Sequence, residues 1–286
     1  HCQFLMNIDS SFYAKDGRLH IVWRVVCFVL MLLLLVSPLL LIHSATIQFL
    51  GATLVLLLTL FIHAKYFDRR PFSSYGIPFN RLSISYGLVG LTIGAFSVGV
   101  MMMAGKWTGI LDVTTASKSL EINLLLVFCL KMLLVAIVEE VLFRGYFFTN
   151  LNEYFQTKMS RSNHALVVAM VLSSVVFGLA HFGNENASPL SMALLSLNGL
   201  IWCIPFVMTG NLWLSIGLHA SWNFTQSLLG FTMSGNEAVN SFFLIEHAGD
   251  SFWTGGAYGP EGGMLGVLGF ISMLLLSIGY LRITAI

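Results

Sequence analysis

Apolar residues fall into eight long runs along the chain, separated by short polar segments. The runs lie near residues 21–43, 45–63, 82–104, 120–142, 164–182, 190–209, 211–230 and 264–282. Most of them approach ~20 residues, the length that a helix needs to cross the hydrocarbon core of a bilayer. Because a spanning segment must satisfy its own backbone hydrogen bonds, the pattern predicts an all-α polytopic membrane protein of about eight transmembrane helices.

The composition agrees with this prediction and makes the lipid bilayer a predicted partner. Of the 286 residues, 57% are hydrophobic and 9% are charged, and the mean hydropathy is +0.84, above the range of soluble domains. A net charge of +1 without a basic run gives no indication of a nucleic-acid partner. The glycine-rich stretch at 254–263 lacks the lysine of a phosphate-binding loop, so no nucleotide partner is expected. The cysteines show no CxxC spacing and are interpreted as packing residues: Cys2, Cys27, Cys129 and Cys203.

Basic residues predict an orientation in the membrane. They cluster before or within the start of the first run, between the second and third, at or after the end of the fourth, and after the eighth: Lys15, Arg18, Arg24, Lys65, Arg69, Arg70, Arg81, Arg144, Lys158, Arg161 and Arg282. The alternate segments hold only Lys106 and Lys118. The positive-inside rule therefore predicts an integral membrane protein with both termini in the cytoplasm and the loop at 231–262 facing outward.

The stretch VEEVLFRGYFF at 138–148 places three charged residues in an apolar setting. A charge at the centre of a membrane helix costs about 2.5–3.5 kcal/mol, so each one needs a physical reason. Glu140 and Arg144 are four residues apart on one helical face, and we predict that they pair. Glu139 lies about 100° away around the helix and is left without a local cation. We therefore expect Glu139 to take up a proton and to act as a general base.

Two further polar clusters lie in other runs. FGLAH at 177–181 places Phe177 and His181 four residues apart, and HASWN at 219–223 does the same for His219 and Asn223. Each cluster alone is compatible with a structural role, such as a staple between helices or a hydrogen-bonded core histidine. Together they supply the groups of a hydrolytic site, and ionisable residues in membrane helices are functional candidates by default. The sequence thus predicts helices that enclose an intramembrane polar active-site cavity.

EEVLFR, FGLAH and HASWN, in this order and on separate helices, resemble the EExxxR, FxxxH and HxxxN motifs of the CPBP family. This family comprises CAAX-protease and bacteriocin-processing intramembrane endopeptidases, also called Abi-domain proteins. Four further segments resemble bacterial members: DGRLHIVWR at 16–24, RRPFSSYGI at 69–77, TGNLWLSIGLH at 209–219 and TGGAYGPEGG at 254–263. The resemblance implies an enzyme of the bacterial plasma membrane that hydrolyses a peptide bond of a membrane-associated protein or peptide.

Hydropathy and resemblance together predict five segments. These are a cytoplasmic N-terminal segment, a group of N-terminal transmembrane helices, a catalytic helical core of CPBP type, an extracytoplasmic loop rich in glycine and aromatic residues, and a C-terminal transmembrane helix. Their predicted bounds are 1–20, 21–110, 120–230, 231–262 and 263–286.

The resemblance assigns Glu139 as the residue that activates water, and implies that His219 with Asn223 steadies the oxyanion. The other members of the implied site support that glutamate, complete the site or shape its pocket: Glu140, Arg144, His181 and Phe177. Glu139, His181 and His219 also offer three ligands for a divalent metal such as zinc, with one open position. Since no HExxH occurs and Asn223 is a poor zinc ligand, a metal-free Glu/His mechanism is favoured.

The predicted depths of these residues conflict. If the fourth helix ends near residue 142, Glu139 lies near one membrane face and His181 near the other, about 30 Å away. We therefore predict that this helix continues past Arg144 to about Phe155 and lines a water-filled cavity.

Two other functional classes compete with the endopeptidase. A non-catalytic scaffold or bacteriocin-immunity protein of the same fold needs only Glu140 with Arg144, so the intact Glu139, His181 and His219 argue against it. A proton-coupled transporter lacks support because no inverted repeat or pair of Pro-broken helices occurs. The endopeptidase is the favoured interpretation, and the sequence does not identify its substrate.

Overall fold

The computed structural model describes residues 12–14, 17–116, 120–238, 240–247 and 249–284. The helices used below are, in chain order, α1 Ile21–Val36, α2 Ala45–Ile62, α3 Arg81–Trp107, α4 Ile122–Glu140, α5 Thr149–Lys158, α6 Ser162–Ala180, α7 Pro189–Thr209, α8 Trp213–Leu228 and α9 Met264–Thr284. The strands are β1 Leu111–Thr115 and β2 Phe243–His247. Cys2, Lys15 and Lys118, which the sequence interpretation uses, lie outside the described residues.

The predicted all-α membrane fold is confirmed. Within the described ranges, seven helical segments are long and apolar enough to cross a membrane. The seventh predicted span, 211–230, is the shorter helix α8, whose 16 residues extend only about 24 Å. It begins only at Trp213, after an Asx turn in which Asn211 Oδ1 accepts the Trp213 N–H at 2.9 Å. Most residues of α8 are buried, so this helix lies inside the bundle.

The fourth helix is much longer than its hydropathy indicates. After α4, residues Val141–Phe148 continue as a π-helix, and α5 extends the helical segment to Lys158. We call residues Ile122–Lys158 the long helix. The prediction that this helix continues past Arg144 is confirmed, and Glu139 lies about halfway along it. A π-helix is rare and often marks a functional site, because its wider turn re-aims the side chains that follow.

Close packing of α3 against α8 fixes the centre of the bundle. A Cβ added to Gly90 would lie 2.4 Å from the Leu214 carbonyl oxygen, and one added to Gly94 would lie 2.5 Å from that of Leu218. From α8, a Cβ on Gly217 would meet the backbone of α3 at 2.4 Å. Such distances exclude any side chain, so these glycines let the two backbones approach. The helix that carries HASWN is thereby held in place.

The described residues of the loop at 231–262 include β2, which belongs to a small two-stranded sheet. β1 and β2 pair in antiparallel fashion, which the hydropathy does not predict because both strands lie in polar linkers. Pro260–Gly262 forms a 3-10 turn just before α9. Gly259 before it has φ +103°, and a Cβ there would lie 2.1 Å from the Thr232 carbonyl oxygen. The loop therefore needs glycine at this position.

Several basic residues predicted to be cytoplasmic meet near the far end of the long helix. Arg24 Nη1 bonds to Asp68 Oδ1 at 2.9 Å, and both side chains are buried. Glu153 on α5 pairs with Arg18, Arg24 and Arg70. The loop at 231–262 instead contacts the start of the long helix, where Asn240 Oδ1 accepts the backbone N–H of residue 121 at 3.1 Å. The charged cluster and the loop thus lie towards different ends of this helix.

Three cysteines in the described part of the chain are free thiols. Cys203 is buried and Cys27 is half-buried, which fits their interpretation as packing residues. Cys129 is exposed on α4, so for this residue the packing interpretation is wrong.

Candidate active site

One cavity of about 580 Å³ lies between the long helix, α6, α7 and α8. Five of the seven side chains predicted for the site line it: Glu139, Phe177, His181, His219 and Asn223. The other two, Glu140 and Arg144, are fully buried beside it. The three sequence motifs therefore meet in one place, as the depth argument requires.

Glu139 faces two imidazole rings. Its Oε2 lies 3.8 Å from His181 Nε2 and 3.7 Å from His219 Nε2, slightly beyond a direct hydrogen bond. His181 Nδ1 lies 2.9 Å from the carbonyl oxygen of Phe177, and His219 Nδ1 lies 2.9 Å from Glu140 Oε1. Carbonyl and carboxylate oxygens accept, so each Nδ1 carries the proton and donates it. This assignment directs both Nε2 atoms towards Glu139.

Glu140 and Arg144 form the predicted ion pair. Arg144 Nη1 lies 3.1 Å from Glu140 Oε1, and neither side chain is exposed. Arg144 Nη2 donates to the Gly199 carbonyl oxygen at 2.9 Å, and the guanidinium carbon lies 4.4 Å from the centroid of the Phe177 ring. Gly199 leaves room for this contact, since a Cβ there would lie 3.0 Å from Nη2. Arg144 thus joins the long helix to α6 and α7.

Two aromatic side chains restrict the histidine rings. The Trp202 indole stacks on His219 with ring centroids 4.0 Å apart and an interplanar angle of 18°. Its Nε1 donates to Met273 Sδ at 3.0 Å, which fixes the indole in turn. The Phe177 ring lies 4.8 Å from the His181 ring. Both imidazoles are therefore held in position before a substrate arrives, as pre-organised catalysis requires.

The loop at 231–262 contributes a buried carboxylate, Glu261, to the cavity wall. Glu261 Oε1 accepts Trp222 Nε1–H at 3.1 Å, and Oε2 accepts the Ser234 N–H at 3.0 Å and its hydroxyl at 2.6 Å. The Ser234 carbonyl oxygen accepts Asn184 Nδ2–H at 3.1 Å. Burial raises the pKa of the Glu261 carboxyl. Glu261 connects the HASWN motif, through Trp222, with the turn that follows FGLAH.

Among the cavity residues that were not predicted from the sequence, three either carry a charge or hold a site side chain in place: Lys131, Trp202 and Glu261. Lys131 carried a usable signal, because it is a charge in an apolar run, as Glu139 is. Trp202 and Glu261 carried none, since a tryptophan in an apolar run and a glutamate in a predicted loop are ordinary residues. Their contributions come from contacts with helices distant in sequence.

Comparison with known proteins supports this site. Residues 121–225 match the family model described as Type II CAAX prenyl endopeptidase Rce1-like. The matched range runs from the start of α4 into α8 and contains all three motifs. Residues 121–225 form an Rce1-like domain. The resemblance to the CPBP family is thereby confirmed over these residues, and an Rce1-like domain implies CAAX-type intramembrane endopeptidase activity. Searches among curated proteins and solved structures give no match.

The donor atoms of the Rce1-like domain bear on the metal alternative. Glu139 Oε2 and the two Nε2 atoms are of types that zinc binds, and an Nδ1–H bonded to an oxygen is common in metal-bound histidine. Among the residues that the structure describes, however, no group of three or more His, Cys, Asp or Glu side chains has the geometry to hold a metal ion. The residues as placed do not fit a metal, and the mechanism proposed below uses none.

Proposed function

We propose that this protein is an intramembrane endopeptidase that hydrolyses a peptide bond of a membrane-associated protein or peptide. The observation that carries this proposal is the convergence of Glu139 Oε2 with His181 Nε2 and His219 Nε2, at 3.7–3.8 Å, in a cavity of about 580 Å³. The Rce1-like domain supports the reaction class. The substrates to test first are prenylated peptides that end in a CAAX sequence.

In the proposed reaction, Glu139 is the general base. It takes a proton from a water molecule that also lies within reach of the two Nε2 atoms, and the hydroxide attacks the carbonyl carbon of the substrate. The oxyanion that forms accepts a hydrogen bond from the Asn223 amide N–H, and His219 Nε2 holds the water in place by accepting its second O–H. Glu139, assisted by His181, then delivers the proton to the leaving nitrogen. The C–N bond breaks, giving a carboxylic acid and an amine.

Glu140 and Arg144 position this machinery without touching the substrate. Glu140 accepts from His219 Nδ1 and so fixes the ring with Nε2 in the cavity. Arg144 forms its direct ion pair with Glu140 Oε1 and so balances the charge of Glu140. Adjacent carboxylates on one helix thus have different surroundings, one paired with a buried cation and one facing the cavity.

Cleavage of quenched-fluorescent peptides by the protein in lipid bilayers tests the proposal. The set comprises prenylated CAAX peptides and a diverse library. Glu139→Gln should reduce the rate by about 100- to 10 000-fold, the contribution of a general base. The matched control is Glu237→Gln, an exposed carboxylate on the same cavity, which should retain most activity.

A chelator arm addresses the metal alternative. Retained activity after dialysis against a chelator supports the metal-free mechanism. Loss on dialysis with recovery on addition of zinc would overturn it. Cleavage that survives in Glu139→Gln would refute the role of Glu139, and absence of cleavage of any peptide by the wild type would favour the non-catalytic scaffold.

A further inference from the structure

Lys131 is an intramembrane cation that the proposed reaction does not use. It lies on α4, two turns before Glu139, and lines the same cavity. Its Nζ lies 5.2 Å from the centroid of the Phe49 ring on α2. Among the described residues, this ring is the one partner recorded for the Lys131 ammonium group, which makes no hydrogen bond or ion pair there. A charged side chain in a membrane helix is costly and normally pairs or serves a pathway, so an unpaired lysine here needs a partner from outside the chain.

The charges of the cavity leave one place for an anion. Among the described residues that line it, Lys131 is the one lysine or arginine, whereas Glu139, Glu237 and Glu261 are acidic. An anionic substrate group is repelled near these carboxylates and attracted at Lys131. The distribution therefore favours one orientation of an anionic substrate.

The spacing along α4 gives the position of that group. Eight residues separate Lys131 from Glu139, which corresponds to about 12 Å along a helix. An extended peptide covers about 3.3–3.6 Å per residue, so this distance equals three or four residues. Phe128, Met132 and Val135 line the cavity along the same stretch of α4, and they offer an apolar wall to the intervening side chains.

We propose that Lys131 Nζ binds a carboxylate of the substrate three or four residues from the scissile bond. This inference rests on the proposed endopeptidase function and adds a determinant of its specificity. A carboxylate at this distance has two sources, the C-terminus of a peptide cleaved close to its end or an acidic side chain. When Lys131 Nζ binds the carboxylate from either source, this contact determines which peptide bond of the substrate lies at Glu139.

Matched peptides and three lysine variants test this site. One prenylated CAAX peptide is made with a free C-terminal carboxylate, as the C-terminal amide, and as the amide with Glu at its last position. Wild-type protein should prefer a carboxylate form over the plain amide by about 10- to 100-fold in kcat/KM, the value of one hydrogen bond to a charged group. Lys131→Met should abolish the preference and Lys131→Arg should keep it. Lys158→Met, at the end of the long helix, should leave it unchanged.

Binding to an inactive variant separates this inference from the proposed function. The same three peptides, fluorescein-labelled, are titrated into Glu139→Gln and into Glu139→Gln/Lys131→Met, with fluorescence anisotropy as the readout. Preferential binding of a carboxylate peptide that needs Lys131 supports the site even if no cleavage is found, and the preferred peptide identifies the source of the carboxylate. Equal binding of all three peptides, or a preference that persists without Lys131, overturns it.

Discussion

Glu140 binds two partners through one oxygen atom, which makes stability and activity separable by mutation. Its Oε1 accepts Arg144 Nη1 at 3.1 Å and His219 Nδ1 at 2.9 Å. Both charged side chains are fully buried. We predict that Arg144→Met and Glu140→Leu each destabilise the protein strongly. The double variant should recover much of that stability and remain inactive.

The magnitudes follow from the contacts. Removing one member of a buried pair leaves the other charge uncompensated and costs about 3–5 kcal/mol. If the two single effects were independent, they would sum to about 6–10 kcal/mol. The double variant has no buried charge at this position but leaves two buried groups without partners, the Gly199 carbonyl oxygen and His219 Nδ1–H, at about 1–3 kcal/mol each. Taken at the middle of each range, the coupling between Glu140 and Arg144 should therefore be about 4 kcal/mol.

The cleavage activity of the double variant should depend on the position of His219 and not on the recovered stability. In the double variant His219 Nδ1 has lost its acceptor, so the ring tautomer and orientation are no longer fixed. Loss of such a partner reduces catalysis by about 10- to 10 000-fold in other enzymes. The cleavage rate per folded molecule should fall within that range.

The assay is unfolding in detergent micelles combined with cleavage of a fluorescent peptide in bilayers. Arg24→Met is the matched control, because Arg24 forms a buried pair with Asp68 in the charged cluster near Glu153. This variant should be destabilised and yet keep its cleavage rate per folded molecule. The reasoning is refuted if the double variant of Glu140 and Arg144 is destabilised by the sum of the single effects, or if it cleaves at the wild-type rate.

Two further predictions concern the surroundings of the site. Gly199→Ala should lower the free energy of unfolding by about 1–3 kcal/mol and reduce activity, because the new methyl group would lie 3.0 Å from the buried guanidinium. Gly183→Ala is the control, since a Cβ there meets nothing within 4 Å. Equal free energies of unfolding for the two variants would contradict the prediction. Burial raises the pKa of Glu261, so this carboxyl binds a proton more tightly in the native state than in the unfolded chain. The resulting stability is fully present below about pH 4.3, the pKa of an unperturbed Glu, and is lost as the pH rises through the folded pKa. Glu261→Gln cannot titrate, so its unfolding temperature relative to wild type should rise with pH over this window, and a constant or falling difference would contradict the assignment.

The sequence predicts the helical fold well because hydropathy over ~20 residues reports the length of a membrane span directly. The prediction fails where contacts between residues distant in sequence determine the structure. The run at 211–230 gives no sign that α8 is short and central, which follows from the Asx turn at Asn211 and from the contacts of Gly90 and Gly94 with its backbone. The pairing of β1 with β2 is equally invisible, since it joins linkers more than a hundred residues apart.

The candidate site was likewise predictable where it depends on local spacing, and not where it depends on contacts between helices. The Glu140–Arg144 pair depends on i,i+4 spacing within one helix, and it is present. The chemistry of the side chains and the family resemblance predicted that Glu139 faces His181 and His219. The observed distances of 3.7–3.8 Å are possible only because the long helix continues past Arg144, as the conflict of predicted depths required. The stacking of Trp202 on His219 lay beyond reach, because no local pattern specifies which ring covers an imidazole across helices.

The tandem glutamates of VEEVLFRGYFF can now be understood from helix geometry. Successive side chains point about 100° apart, so one of two adjacent carboxylates faces the cavity while the other faces the protein interior. Glu140 there meets Arg144 and His219, and the π-helix that starts at Val141 carries the arginine between α6 and α7. The buried cation is thereby committed to Glu140, and Glu139 keeps the histidines as its partners. A single glutamate could not both hold His219 from behind and act on water in front of it, which is why the proposed chemistry needs the pair.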